Sequence, residues 1–353
     1  MKDWQNDENP HSEEFSKEKI IIREHFTRKF GHPEVENELD KFHNKRRLSA
    51  HKMPKVWIGA AATLLLAIST YLFTLPTERT ASEHRKLVYS ERSVNSDVLL
   101  QSGDRDAVVV GNKNNYPQVD KETYPQLLTG GLSYLHVKDR VISKEIITVP
   151  SGKIFKIVLQ DGTEVWLNAQ TKFTFPNRFD EGARRVELEG EAYFRVSKDP
   201  QRPFIVKANN LETSVIGTEF NIKNGYDKQS SVTLLKGKVQ VTNTLNAESE
   251  LLAPGDELIS RPGVPLKIHK IDTDDYYSWH EGYFHFDDVA FSEVLREIGR
   301  WYNLDVIFEN PKAKGVKLRF TADRDEDKNV IIELLNDLNM AKIAIEGTSI
   351  VVR

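Results

Sequence analysis

Three groups of side chains in this sequence have the types and spacing that chemistry requires. Glu187, Glu189 and Glu191 alternate along one stretch, and carboxylates held about 5–10 Å apart can hydrolyse glycosides. Alternate positions on one wet strand face account for them more simply, so no catalytic residue is assigned. His280 and His285 lie in or beside a strand and fall on opposite faces, which argues against a shared metal. Asp323, Asp325 and Asp327 have calcium-loop spacing, but Lys328 stands where the sixth-position glycine belongs and Leu334 where the twelfth-position glutamate belongs. A solvated turn and a helix cap are expected there instead. The chain has no cysteine, no Gly-rich phosphate loop, no HExxH and no GxSxG. Thiol nucleophiles, disulfides, cysteine-held zinc and the common nucleotide and hydrolase signatures are excluded. The expectation is a protein that is not an enzyme, with no cofactor and no metal.

The elements around these residues are of several kinds. The chain has 353 residues, 39% hydrophobic and 29% charged, with a net charge of -4. Such a length implies more than one folding unit. The composition excludes a polytopic membrane protein and a wholly disordered chain, and the charge gives no basic field for nucleic acid. Val56 to Leu75 contains no charged residue. A helix of that length reaches about 30 Å, the thickness of a bilayer core. Trp57 and Tyr71 lie near its ends and Pro76 stops it, so a transmembrane helix over 56–75 is expected in preference to a buried soluble helix or a cleaved signal peptide. Lys45, Arg46, Arg47, Lys52 and Lys55 precede it closely, against Arg79, Arg85 and Lys86 after it, which puts the N-terminus inside.

Before that run, residues 1–55 read as a helical hairpin. Phe15, Ile22, Phe26 and Phe30 recur at helical intervals, Gly31 and Pro33 break the pattern, and Val35, Leu39 and Phe42 resume it. Two such helices bury little between them. Their apolar stripes either clasp a cytosolic partner or pack on themselves or on the bilayer surface. With 12 Lys+Arg against 11 Asp+Glu, the segment is not a nucleic-acid arm.

After the apolar run, 76–141 reads as a linker with some strands, and from 142 the period becomes two. Val186, Leu188, Gly190, Ala192, Phe194 and Val196 share one face; Glu187, Glu189, Glu191, Tyr193 and Arg195 share the other, predicted to be wet. Asp161-Gly162-Thr163 separates two apolar runs as the turn of a hairpin. Trp166 is expected to pack at the core or its rim. Residues 142–260 are predicted to be an all-β sandwich, barrel or solenoid-like domain. A linker over 261–281 leads to an α+β domain over 282–353. Within it Phe284 and Phe320, Asp287 and Asp323, Val294 and Val330, Ile298 and Leu334, and Asn303 and Asn339 all stand 36 residues apart. That is a duplicated β-α-β unit, whose second helix should carry Val330, Ile331, Leu334 and Leu338.

These residues resemble the FecR family of sigma-factor regulators, in a form like that of Bacteroidetes-type bacteria. The matching strings are Val149-Pro150-Ser151-Gly152, Leu159-Gln160-Asp161-Gly162-Thr163-Glu164-Val165-Trp166-Leu167-Asn168-Ala169, Leu188-Glu189-Gly190-Glu191-Ala192-Tyr193-Phe194, Pro203-Phe204-Ile205-Val206, Gly217-Thr218-Glu219-Phe220-Asn221 and Leu235-Lys236-Gly237-Lys238-Val239. Phe286-Asp287-Asp288, Leu295 and Arg300-Trp301-Tyr302-Asn303-Leu304 look like the C-terminal domain of those regulators. That domain is similar to the short signalling domain of secretins and TonB-dependent transducers. The resemblance implies a single-pass inner-membrane anti-sigma factor with a periplasmic C-terminus. Its implied partners are an extracytoplasmic-function sigma factor on the cytoplasmic side and the signalling domain of a TonB-dependent outer-membrane transducer, serving iron or nutrient uptake, on the other. Regulatory proteases are implied as well. From the residues alone, an envelope module that binds glycan or protein without a transcriptional role stays open.

Overall fold

The computed structural model describes residues 87–89, 92–110, 125–138, 141–226, 229–271 and 279–353. The expected tail over 1–55 and the expected membrane helix over 56–75 lie outside the described residues. Among the described residues no helix is long and apolar enough to cross a membrane.

The alternating stretch forms the strand Arg184–Arg195, and it organises the β module. Its first half pairs with Thr171–Pro176 on one side and Phe204–Ala208 on the other. Its second half leaves that sheet and pairs with Glu164–Leu167 and Glu219–Tyr226 in another. The first sheet runs Val108–Val109, Leu99–Ser102, Lys144–Val149, Thr171–Pro176, the shared strand, Phe204–Ala208, Leu211–Val215, Val239–Asn243, Ser249–Leu252. The second runs Gln126–Leu128, Gly131–Ser133, Phe155–Val158, Glu164–Leu167, the shared strand, Glu219–Tyr226, Gln229–Lys236, Asp256–Arg261, Val264–Lys270. Inward residues of both sheets, among them Ile147, Phe173, Val165, Phe220 and Leu258, form one core. The result is a sandwich wound like a flattened solenoid, because successive pairs of strands alternate between the sheets.

Local chemistry explains the crossing points. Gly190 has φ +112, which an L side chain rarely adopts, and it sits where the shared strand changes sheets. The expected hairpin forms between Phe155–Val158 and Glu164–Leu167, with Gly162 at φ +84 in its turn. Asp161 accepts from the backbone N–H of Thr163 at 3.0 Å and pairs with the buried Arg184 at 2.6 Å. One carboxylate therefore shapes the turn and neutralises a guanidinium in the core.

The C-terminal module contains two successive β-α-β units. Tyr283–Ala290, helix α1 (Phe291–Tyr302) and Asp305–Phe308 are followed by Lys317–Asp323, helix α2 (Lys328–Asn336) and Ile343–Glu346. The 36-residue repeat is visible in the backbone: Asn303 and Asn339 are both left-handed, at φ 58 and φ 54. Asp327 caps α2 by accepting from the N–H of Asn329, as the turn chemistry predicted. Asp287 and Asp288 do not cap α1. They lie in the strand and pair with Arg319 and Lys317, because a bulge between Phe286 and Val289 lengthens that strand. The two helices also bury different faces. Val294 and Ile298 are fully enclosed, whereas their counterparts Val330 and Leu334 are 38% and 42% exposed; of the predicted α2 residues Ile331 alone is buried, and Ile332 and Leu335 complete the core face. The predicted stripe on α2 is thus rotated by about one residue.

Candidate functional site

The shared strand alternates between buried and exposed residues only as far as Glu189. Beyond Gly190, Glu191 and Tyr193 are 4% and 1% exposed, so the face predicted to be wet is covered. Its cover is the C-terminal module together with Trp279 and His280, which approach it. Residues Arg79–Arg353 form one compact unit, and the contact between the modules lies within it.

Two carboxylates, one from each module, form the centre of this junction. Glu191 accepts from Asn168 at 2.9 Å, from Asn221 at 3.2 Å and from Arg300 at 3.4 Å. Glu297 on α1 accepts from Arg324 at 3.0 Å, from Lys223 at 3.3 Å, from Asn168 at 3.3 Å and from Arg300, one turn along its own helix. Arg324 donates to Asn168 at 2.9 Å and to the carbonyl of Tyr283 at 3.2 Å. Its guanidinium also stacks 4.8 Å from the Phe284 ring and 4.7 Å from the Trp301 ring. Asn168 thus bridges both modules, bonding to Glu191, Glu297 and Arg324.

Burial works against the charged form of Glu297, but Arg300, Lys223 and Arg324 outweigh it and hold the carboxyl well below the usual carboxylate range. The Glu297 carboxyl is therefore ionised at neutral pH. Such pairs add little net stability compared with an apolar core but are severe to break, which makes them devices of register. They fix one docking geometry, since any other leaves a buried charge alone.

An aromatic cluster flanks the network. Trp279 donates to Asn221 at 3.2 Å, and His280 stacks on Tyr193 with ring centroids 4.4 Å apart. Trp166 packs edge-on to Tyr193 at 5.4 Å, under Lys156 and Arg195, at the rim as expected. Burial, and after it Arg195, pushes the His280 imidazole down to about 4. An unfolded histidine takes its proton near pH 6.5, so stability should fall as pH drops from about 6.5 toward 4. His280 stays part-exposed, and solvent screening trims the effect to about 1 kcal/mol. Thermal melts at pH 7 and pH 4.5 should show that slope, and His280→Gln should flatten it. An unchanged slope would mean that His280 is not the group responsible.

Beside the network a cleft of about 600 Å³ opens between the modules. It is bordered by Glu257, Arg261 and Lys270 on the sandwich and by Tyr283, Phe286 and Arg296 on the C-terminal module. Burial pushes the Glu257 carboxyl up, against the pull of Ser231 and Lys223.

Of the residues in the family-like strings, Asn168, Glu191, Asn221, Arg300 and Trp301 come together at this junction. Leu167, Phe194, Phe204 and Phe220 are core, and Phe194 stacks on Phe220 at 4.9 Å. Asp161, Gly162 and Thr163 build the hairpin turn, and Pro203 accepts from the N–H of Arg184 at 2.8 Å. Gly217 lets the chain pass Lys198 closely, while the Thr218 hydroxyl donates to the Lys238 carbonyl at 3.0 Å. Sequence reasoning missed Lys223, Glu297 and Arg324 altogether. One signal was present: Glu297 and Arg300 sit beside Val294 and Ile298 on the apolar side of α1, where unpaired charges would not be tolerated.

A wound β sandwich is thus locked by buried charges to a duplicated β-α-β module. The family described as FecR protein matches residues 145–240, and the family described as FecR, C-terminal matches residues 283–352. Two crystal structures, at 2.50 and 1.65 Å resolution, of a protein from Parabacteroides distasonis ATCC 8503 provisionally described as an anti-sigma factor are similar to the chain. Each is 26% identical with a TM-score of 0.54, covering 59% of this chain and 98% of that one. No curated protein matches it. The chain thus resembles the FecR family over both of its modules.

Proposed function

We propose that this chain is a single-pass inner-membrane regulator of an extracytoplasmic-function sigma factor, relaying a signal from a TonB-dependent outer-membrane transducer. The observation that carries the reading is the presence of both FecR modules in order, downstream of an uncharged run of membrane-spanning length over 56–75. Similarity to a protein described as an anti-sigma factor supports the regulatory role. In this reading residues 1–55 lie in the cytoplasm, and Phe15, Ile22, Phe26, Phe30, Val35, Leu39 and Phe42 face the sigma factor. The exported part receives the transducer's signalling domain, and the charged junction makes its two modules respond as one body. Regulatory proteolysis follows where the family uses it. The reading needs no catalytic residue, cofactor or metal.

Co-purification from membranes of full-length chain should recover one sigma factor. Phe26→Asp, which places a charge in the apolar stripe, should weaken that association by about thirtyfold, the effect of losing a central apolar anchor worth roughly 2 kcal/mol. Recovery of no sigma factor, or equal recovery with Phe26→Asp, would contradict the assignment.

A further inference from the structure

The C-terminal sheet contains a strand from far outside its own module. Its order is Leu87–Tyr89, Asp305–Phe308, Ser349–Val352, Ile343–Glu346. Leu87 pairs antiparallel with Phe308, Val88 with Ile307 and Tyr89 with Val306. Leu87–Tyr89 precedes the whole sandwich in sequence and follows the 56–75 run closely. Without it, Asp305–Phe308 would be an open edge, with Val306 and Phe308 already rooted in the module core.

A hook holds the segment in place. Asn303, left-handed at the end of α1, accepts from the N–H of Ser93 at 2.7 Å and donates to the Ser93 carbonyl at 3.2 Å. Its carbonyl oxygen also accepts from the Ser151 hydroxyl of the sandwich at 3.2 Å, and Arg92 pairs with Asp305 at 3.2 Å. The ladder itself has only three paired positions. Short edge ladders belong to the low-stability end of a fold and open before the core does.

We propose that the edge of Asp305–Phe308 is an exchangeable strand-binding site. The chain's own Leu87–Tyr89 closes it, and an extended, apolar-alternating segment of the protein that delivers the signal takes that place. Strand addition supplies affinity through the main chain and selectivity through alternate side chains. Its consequence is mechanical: filling the edge from outside frees the stretch of chain between the apolar run and the sandwich. The identity of the incoming protein rests on the regulatory reading above, whereas the site itself does not.

The test uses full-length chain in detergent micelles and a fluorescent peptide with the sequence of residues 85–90, which lacks Ser93 and so does not use Asn303. Asn303→Gly keeps the left-handed backbone and removes the hook on Ser93 together with the single bond from Ser151. It should bind the peptide at least about tenfold more tightly than the unaltered chain does. Val88→Cys with Ile307→Cys provides a second, independent arm, since facing residues of an antiparallel pair lie about 4.5–5.5 Å apart, within disulfide range. The chain has no other cysteine to interfere. The oxidised pair should abolish peptide binding, and reductant should restore it. Equal binding by oxidised and reduced protein, or no gain with Asn303→Gly, would overturn the proposal. A sigma-dependent reporter that ignores deletion of the whole chain would defeat the regulatory reading instead, leaving the peptide result to decide the site.

Discussion

Glu297→Gln should lower the stability of the exported unit by about 3–5 kcal/mol, the usual effect of removing one partner from a buried charge network. Glutamine fills the same volume and can still accept hydrogen bonds. It cannot balance Arg300, Arg324 and Lys223, which would be left, among the described residues, with Glu191 as the only carboxylate of the network. At roughly 2–4 °C per kcal/mol for a unit of this size, the melting midpoint should fall by about 6–20 °C. The transition should also split, because the modules would no longer melt together. Glu297→Gln with Arg300→Gln should recover part of the loss, since removing both members of a pair is milder than removing one. A single transition at the original midpoint would refute the role given to the junction. Acid should act in the same sense: the Glu297 carboxyl is held below its unfolded value. Its contribution is therefore intact above about pH 4.3 and is lost as pH falls through the folded value.

Gly190→Ala should be nearly as damaging, through sterics rather than charge. A methyl group there would lie 2.6 Å from the Thr171 hydroxyl oxygen and 2.8 Å from its Cα, at φ +112. Backbone strain of about 1–3 kcal/mol adds to an overpacking penalty of similar size. Gly263→Ala is the control. It shares a positive φ of +72 but meets nothing within 4 Å, so it should lose only about 1 kcal/mol. Urea unfolding of both variants separates close approach from conformational strain. Equal losses would mean that the passage of the shared strand past Thr171 is not the constraint.

What could be read from the sequence was local or periodic. The turn at Asp161-Gly162-Thr163 follows from residue chemistry within three positions, and the duplicated β-α-β unit from a repeat that survives in side chains and in the two left-handed asparagines. The junction was not legible because alternation says which residues share a face, not what covers it. Glu191 reads as wet until α1, which follows it by a hundred residues, is known to lie on top. The same limit hid the Leu87–Tyr89 pairing, whose partner strand is more than two hundred residues away. On α2, the predicted stripe of Val330, Ile331, Leu334 and Leu338 holds only at Ile331, because packing selected Ile332 and Leu335 beside it.

The most direct test of the account compares transcript profiles of cells carrying the unaltered chain, no chain, and the Glu297→Gln chain. Deletion should change the regulon of one sigma factor, including a neighbouring outer-membrane uptake system, and Glu297→Gln should change the same genes. A deletion that leaves every such regulon untouched would contradict it, and so would a Glu297→Gln chain whose modules have separated while its regulon stays at the resting level.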